Sequence, residues 1–226
     1  MSNIDELLSK AAKLLQEGRI WESCKVYDEV LSIDSKCEAA LLNKAIISFR
    51  DNKYSEALDL LSNISSVEKI IDTKLIEASC FYELGDLSKS ESCYNVLSSR
   101  VDGNNDLIFR VGLSAMQHGF FLNAAKILGK IDKKKSYSFE KEYYMALSYK
   151  GIGDLTNAIK CFGNAIREKS DSFQLYPIIA SACFQNNMIE EGDKLMNILK
   201  EKNNAFFQHV AGIVASYRIK IKLFII

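Results

Sequence analysis

Small, large and apolar positions recur along this chain at a spacing that argues for helices stacked in register. One set of triplets runs Ser23, Tyr27, Val30; Ala57, Leu61, Ile64; Ser90, Tyr94, Leu97; Ala124, Leu128, Ile131; Ala158, Phe162, Ala165; and Gly192, Met196, Leu199. Steps of four and three residues put each triplet on one face of a helix. A second set, Ala11, Ala45, Ala78, Gly112, Ala146 and Ala180, precedes the first member of each triplet by 12 residues (23 − 11 = 12 in the first case). Between the two sets stand Gly18, Asn52, Gly85, Gly119, Gly153 and Asn187, spaced 34, 33, 34, 34 and 34 residues apart. Glycine, and after it asparagine, most readily take the left-handed conformation just past a helix end. The pattern therefore predicts helix, tight turn, helix, six times over. Two antiparallel helices approach closely only where neither carries a bulky side chain. That assigns the small rows to the contact within each pair, and Tyr27, Leu61, Tyr94, Leu128, Phe162 and Met196 to the space between layers. Asp86 and Asp154 directly follow turn glycines, where a short acid accepts hydrogen bonds from the free N–H groups opening the next helix.

The 34-residue period, with small residues at repeat positions eight and twenty, a turn at fifteen, a large residue at twenty-four and an apolar one at twenty-seven, resembles the tetratricopeptide repeat (TPR) family. The resemblance covers residues 4 to about 204. It implies an all-α chain: a right-handed α-solenoid of six helix-turn-helix repeats plus a C-terminal capping helix. The repeats fall at about 4–37, 38–70, 71–104, 105–138, 139–172 and 173–204, an array over 1–204, with the capping helix and a hydrophobic tail over 205–226. Two features depart from the family. The proline that usually follows the second helix is Ser35, Asp102 or Ser170 here, and the large residue at position four becomes Lys74 and Glu142 in the third and fifth repeats.

The family also implies that first helices line a concave groove for peptides or partner helices. Carried over position by position, the partner-binding groove is lined by Leu8, Leu42, Asn43, Phe49, Leu75, Tyr82, Phe109, Arg110, Met116, Tyr143 and Phe184. Asp72, Asp106 and Glu140 give it an acidic edge. Such a surface suits a hydrophobic strand or amphipathic helix with basic flanks. The alternative reading is that some of these rows, Leu42, Ile46 and Leu113 foremost, only pack against neighbouring first helices. The two-carboxylate clamp by which related repeats hold acidic chaperone tails needs lysine, arginine and asparagine at fixed positions. Starting from the first repeat, this chain offers Leu8, Ala12, Asn43, Asp72 and Ile76; only Asn43 matches, and Asp72 repels a carboxylate. Chaperone tails are not the expected partner.

Composition narrows the functional classes. Lys plus Arg and Asp plus Glu both number 29, so no net field attracts nucleic acid. One proline and 11 glycines in 226 residues argue against turn-rich sandwiches and barrels. The six cysteines form no CxxC pair, and "MSNIDELLSK" lacks the apolar stretch of a signal peptide. Both point to a reducing, cytoplasmic setting. His118 and His209 stand apart, so neither a metal nor a cofactor is expected. Gly151, Gly153 and Gly163 occupy turn and packing positions with no preceding strand, which excludes a phosphate loop. The basic stretch "KIDKKKSYSFEK" at 130–141 reads as a solvated join between repeats.

The end of the chain is the anomaly. Phe207, Val210, Ala211 and Val214 keep helical spacing and would cap the sixth repeat, but "RIKIKLFII" follows with alternating apolar and basic residues. Arg218, Lys220 and Lys222 interrupt it too often for a membrane span. Folding back into the groove, pairing with a second copy as a homodimer, touching a membrane interface and being the end of a truncated array all fit the pattern. The expected function is a non-enzymatic scaffold or adaptor that binds a peptide or partner helix. The alternatives are an assembly or docking factor working through its tail, and a regulatory arm of a catalytic partner.

Overall fold

The computed structural model describes residues 3–66, 69–132 and 137–224, with side chains through Tyr217 in the last helix. The described residues form thirteen helices and no strand. They divide into two compact units, Met1–Val101 and Asp102–Ile226. The first holds α1 (Asn3–Gln16), α2 (Ile20–Ile33), α3 (Glu38–Arg50), α4 (Tyr54–Leu61), α5 (Ile70–Glu83) and α6 (Leu87–Arg100). The second holds α7 (Asn105–Gln117), α8 (Phe121–Gly129), α9 (Ser138–Gly151), α10 (Leu155–Glu168), α11 (Leu175–Gln185), α12 (Ile189–Lys202) and α13 (Asn204–Phe224). Within each unit a helix packs mainly on its neighbours in sequence, and first helices meet across pairs, α3 on α5 and α7 on α9. Such nearest-neighbour wiring is that of an α-solenoid.

All six turn residues adopt positive φ: Gly18, Gly85, Gly119 and Gly153 at 75–82°, Asn52 and Asn187 at 60° and 58°. In every one the next residue's N–H reaches back five positions to the preceding helix, as in Arg19 to Leu14 (2.9 Å), Asp86 to Phe81 (2.8 Å) and Met188 to Cys183 (2.8 Å). This is the paired-bond C-cap that satisfies the last carbonyls of a helix. Asp86 and Asp154 cap the following helices, accepting from Lys89 N–H (3.1 Å) and Asn157 N–H (3.0 Å). Those bonds, led by the side-chain contacts with Lys89 and Asn157, hold both carboxyls below their usual range.

The small rows lie where the helices of each pair touch. All twelve members are buried, and the serines among them add a polar tie: Ser23 Oγ donates to the Ala11 carbonyl and Ser90 Oγ to that of Ala78, both at 2.8 Å. Where the row has glycine, a large neighbour fills the gap. A Cβ on Gly112 would sit 2.7 Å from Leu128, and one on Gly192 only 2.4 Å from the Phe184 ring. The large row (Tyr27, Leu61, Tyr94, Leu128, Phe162, Met196) is buried throughout.

The spacing places Ile64 and Ile131 on second helices, but α4 ends at Leu61 and α8 at Gly129. After α4, polar side chains compete for the helix carbonyls: Ser62 Oγ and Asn63 Nδ2 both donate to the Asp59 carbonyl, at 2.7 and 2.8 Å. The Glu38 carboxylate then ties down the loop, accepting from the N–H groups of Ser65 (3.0 Å) and Ser66 (2.9 Å). Asn105 performs the same task after α8 through two bonds to the Asp132 backbone (2.9 and 3.0 Å). Ile131 is nonetheless buried, while Ile64 stays half-buried. Lys74 and Glu142, out of pattern at position four, are accommodated by polar partners. Lys74 pairs with Glu77 on its own helix, and buried Glu142 accepts from Asn164 Nδ2 at 2.9 Å.

The six cysteines are free thiols; Cys80, Cys93, Cys161 and Cys183 are buried and Cys24 and Cys37 half-buried. Burial pushes Cys80, Cys93 and Cys183 up to about 11, which keeps them protonated at neutral pH. In the folded protein at pH 7, Cys24 and Cys37 are expected to be alkylated at least about tenfold faster than the four buried thiols. Peptide mass spectrometry after timed quenching reads this, and equal rates would contradict the buried cysteine positions.

Candidate functional site

The two units treat the residues assigned to a groove differently. In residues 1–101, Leu8 on α1, Leu42, Asn43 and Phe49 on α3, and Leu75 and Tyr82 on α5 are all half-buried, with Asp72 half-buried at the start of α5. Leu75 and Tyr82 are seven residues apart, two turns along the same face of α5. Leu42 and Phe49 flank a core of Ala45, Ala57, Leu61 and Cys80, and the Phe49 ring lies 5.6 Å from that of Tyr54. Asn43 donates to the Ala39 carbonyl one turn back on α3 (2.8 Å).

In residues 102–226 Phe109 and Tyr143 are half-buried as well, but each carries a stacked aromatic side chain of the chain's own. Phe109 on α7 is stacked under Tyr137, centroids 4.7 Å apart at 21°, and meets the edge of Tyr144 at 5.4 Å. Tyr143 on α9 stacks on Phe139 at 5.8 Å and touches Tyr144 and Phe162 edge-on. Asp106, assigned by its repeat position to an acidic edge, accepts a hydrogen bond from the Tyr137 hydroxyl at 2.6 Å. That bond, with the negative charge behind it, pushes the phenol above its ordinary range. Met116 and Glu140 are half-buried and Arg110 is exposed. Lys133, Lys134 and Lys135 of the basic stretch lie outside the described residues.

Phe184 is the clear correction. The family position puts it in the groove, yet it is 2% exposed, in a cluster with Tyr176, Ala180, Met196, Leu199 and Val214. The physical cause is twofold: Gly192 on α12 leaves room for its ring, and α13 packs across α11 and α12 with Phe206, Phe207, Val210 and Tyr217 around the same cluster. A cleft of about 440 Å³ remains there, between Met196, Asn197, Phe207, Ala211 and Val214, with Asp193 at its side. The side chains from Arg218 to the end lie outside the described residues.

The large apolar groups most open to solvent are elsewhere. Trp21 at 69%, Leu87 at 53%, Leu122 at 51% and Leu84 at 49% stand beside turns, whereas Ile213 at 63% lies on α13 and Ile33 at 51% ends α2. Lys25 Nζ sits 3.5 Å above the Trp21 ring, in an open hollow shared with Lys10 and Lys13. Sequence reasoning passed over these positions because they belong to neither the small nor the large row. Among the described residues no cluster of His, Cys, Asp and Glu fit for a metal ion occurs. Nor is any described helix long and apolar enough to cross a membrane.

No protein-family model matches the chain. It is similar to Superkiller protein 3 of Schizosaccharomyces pombe, 23% identical over 183 residues that cover 74% of this chain and 13% of that protein. The chain thus spans a small part of that relative's length. Among solved structures, the C-terminal part of a TPR repeat-containing protein from Cytophaga hutchinsonii superimposes with a TM-score of 0.62 at 13% identity, over 86% of this chain and 78% of that one. A tetratricopeptide repeat protein from Parabacteroides merdae does so with 0.58 at 21% identity, over 95% and 87%. YrrB, described as a TPR protein with an unusual peptide-binding site, gives 0.54 at 14% identity, over 75% and 88%.

Proposed function

From the premise that this chain has the tetratricopeptide-repeat fold, we propose that it is a non-enzymatic protein-interaction scaffold, with its six helix pairs as the repeats 4–37, 38–70, 71–104, 105–138, 139–172 and 173–204. Its binding surface is the first-helix face of residues 1–101, which takes an extended or helical protein segment. The observation that carries this reading is the contact between the first helices α3 and α5, from which we read Leu42 and Phe49 on α3 and Leu75 and Tyr82 on α5 as one strip. These four side chains are half-buried, so each presents apolar surface while anchored in the helix layer. Partly exposed aromatic and aliphatic groups on a rigid support are the usual energetic centres of protein interfaces. Asp72 at the edge of the strip favours a segment with basic flanks. In residues 102–226 the matching Phe109 and Tyr143 are also half-buried, and each has a stacked ring of the chain's own against it, Tyr137 on Phe109 and Phe139 on Tyr143. YrrB is a TPR protein with a peptide-binding site, in keeping with this class of partner.

The test is affinity capture from cell extract with the full chain as bait, wild type beside Leu75→Ala/Tyr82→Ala. Truncation removes contact area without burying a charge, so the melting temperature is expected to fall by only a few degrees. Retention of the specific partner is expected to drop at least about tenfold, the size of one interface hot spot lost. Retention of the same proteins at the same level by both baits would overturn the reading.

A further inference from the structure

Tyr137 breaks a local rule. It stands at the N-cap of α9 with φ 62° and ψ 29° and makes no capping side-chain bond. A non-glycine residue with a bulky ring rarely takes this left-handed conformation. The backbone there does not ask for tyrosine; the side chain's destination does. Its ring covers Phe109 and its hydroxyl reaches the Asp106 carboxylate, while Tyr144 closes the far edge of Phe109. Phe109 and Asp106 are one turn apart on α7 and Tyr144 comes from α9, so the three make a small site with an aromatic floor, an aromatic wall and one acceptor. A phenol fits all three, and one from the chain itself is already in place.

We propose that Phe109, Tyr144 and Asp106 form a tyrosine-binding subsite, that Tyr137 is its internal occupant, and that a tyrosine side chain of a partner segment replaces it. Three features support the replacement. Beside the bond its carbonyl accepts from Lys141 N–H (2.9 Å), the Tyr137 side chain is held by a stack and a hydrogen bond on an unfavourable backbone, so its net hold is weaker than that of an unstrained residue making the same contacts. Asp106 is exposed, so an incoming hydroxyl has a path to it. The Glu140 carboxylate adds negative charge that acts on the Tyr137 phenol, which favours a tyrosine next to a basic residue. An internal occupant lowers the apparent affinity for the external one by the fraction of time the site is filled. The inference concerns residues 102–226 alone, so its failure leaves the reading of the α3–α5 strip untouched.

The full chain with Tyr137→Gly, ¹⁵N-labelled, is titrated with N-acetyl-tyrosinamide and with N-acetyl-phenylalaninamide while amide shifts are followed. Glycine keeps the left-handed backbone and removes the occupant. The expected result is saturable shifts at Asp106, Phe109 and Tyr144, with the tyrosine probe binding at least about tenfold more tightly than to wild type. It is also expected to bind severalfold more tightly than the phenylalanine probe. Adding Asp106→Asn should erase most of the difference between the two probes, because an amide oxygen is a weaker acceptor than a carboxylate. Tyr137→Phe, which keeps the ring and loses the bond to Asp106, serves as a second variant: the tyrosine probe should bind it more tightly than wild type. Equal binding to wild type and both variants, or shifts confined to other helices, would overturn the proposal.

Discussion

Phe184→Ala lowers the stability of this protein by about 3–5 kcal/mol, the cost of emptying a fully buried aromatic site. The ring is enclosed by Tyr176, Met196, Leu199 and Val214 and rests where Gly192 has no side chain. Collapse around the cavity is limited because three helices, α11, α12 and α13, meet there. Urea denaturation monitored by circular dichroism reads the change in midpoint. A loss below about 1 kcal/mol would mean that Phe184 is open to solvent, as its repeat position alone implies. The same packing couples Phe184 to Gly192. Gly192→Ala drives a Cβ into the ring, whereas Gly192→Ala combined with Phe184→Leu is expected to cost less than the two single changes added together.

Ala146→Leu is the second large effect, a loss of about 1–3 kcal/mol from overpacking. Ala146 is fully buried on α9 in a cluster with Ala158, Cys161, Phe162 and Ala165 of α10. Alanines at 146 and 158 set the approach of α9 to α10, and a longer side chain must displace Phe162 or push the pair apart. Thermal melts of wild type and variant measure it. An unchanged melting temperature would contradict the register in which small residues twelve apart face each other.

Much of this architecture was legible because the repeat fixes it through the backbone. Six residues had to take positive φ, and glycine or asparagine stands at all six. Asp86 and Asp154 were readable as caps because the preceding turn places their carboxylates beside free N–H groups. The small rows were legible because helix approach tolerates no bulk there. The site was less so. A repeat position states which way a side chain starts out, not what later covers it. Phe184 has the sequence neighbours of a groove residue, but α13 supplies its cover from twenty or more residues away. Phe109 likewise carries Tyr137, whose αL backbone contradicts any propensity-based reading. The shortening of α4 and α8 depended on Glu38 and Asn105 binding loops 27 residues further on, bonds that periodicity does not contain. Exposure of Trp21, Leu84 and Leu87 beside the turns was not signalled by either periodic row.

The most direct measurement is hydrogen exchange on the full chain with and without the partner retained in the capture experiment. Binding on the first-helix face slows exchange in α3 and α5, with the largest effect around Leu75 and Tyr82, and leaves the second helices α2, α4 and α6 unchanged. Protection confined to α2, α4 and α6, or to the turns around Trp21, Leu84 and Leu122, would place the partner on another surface and contradict the assignment.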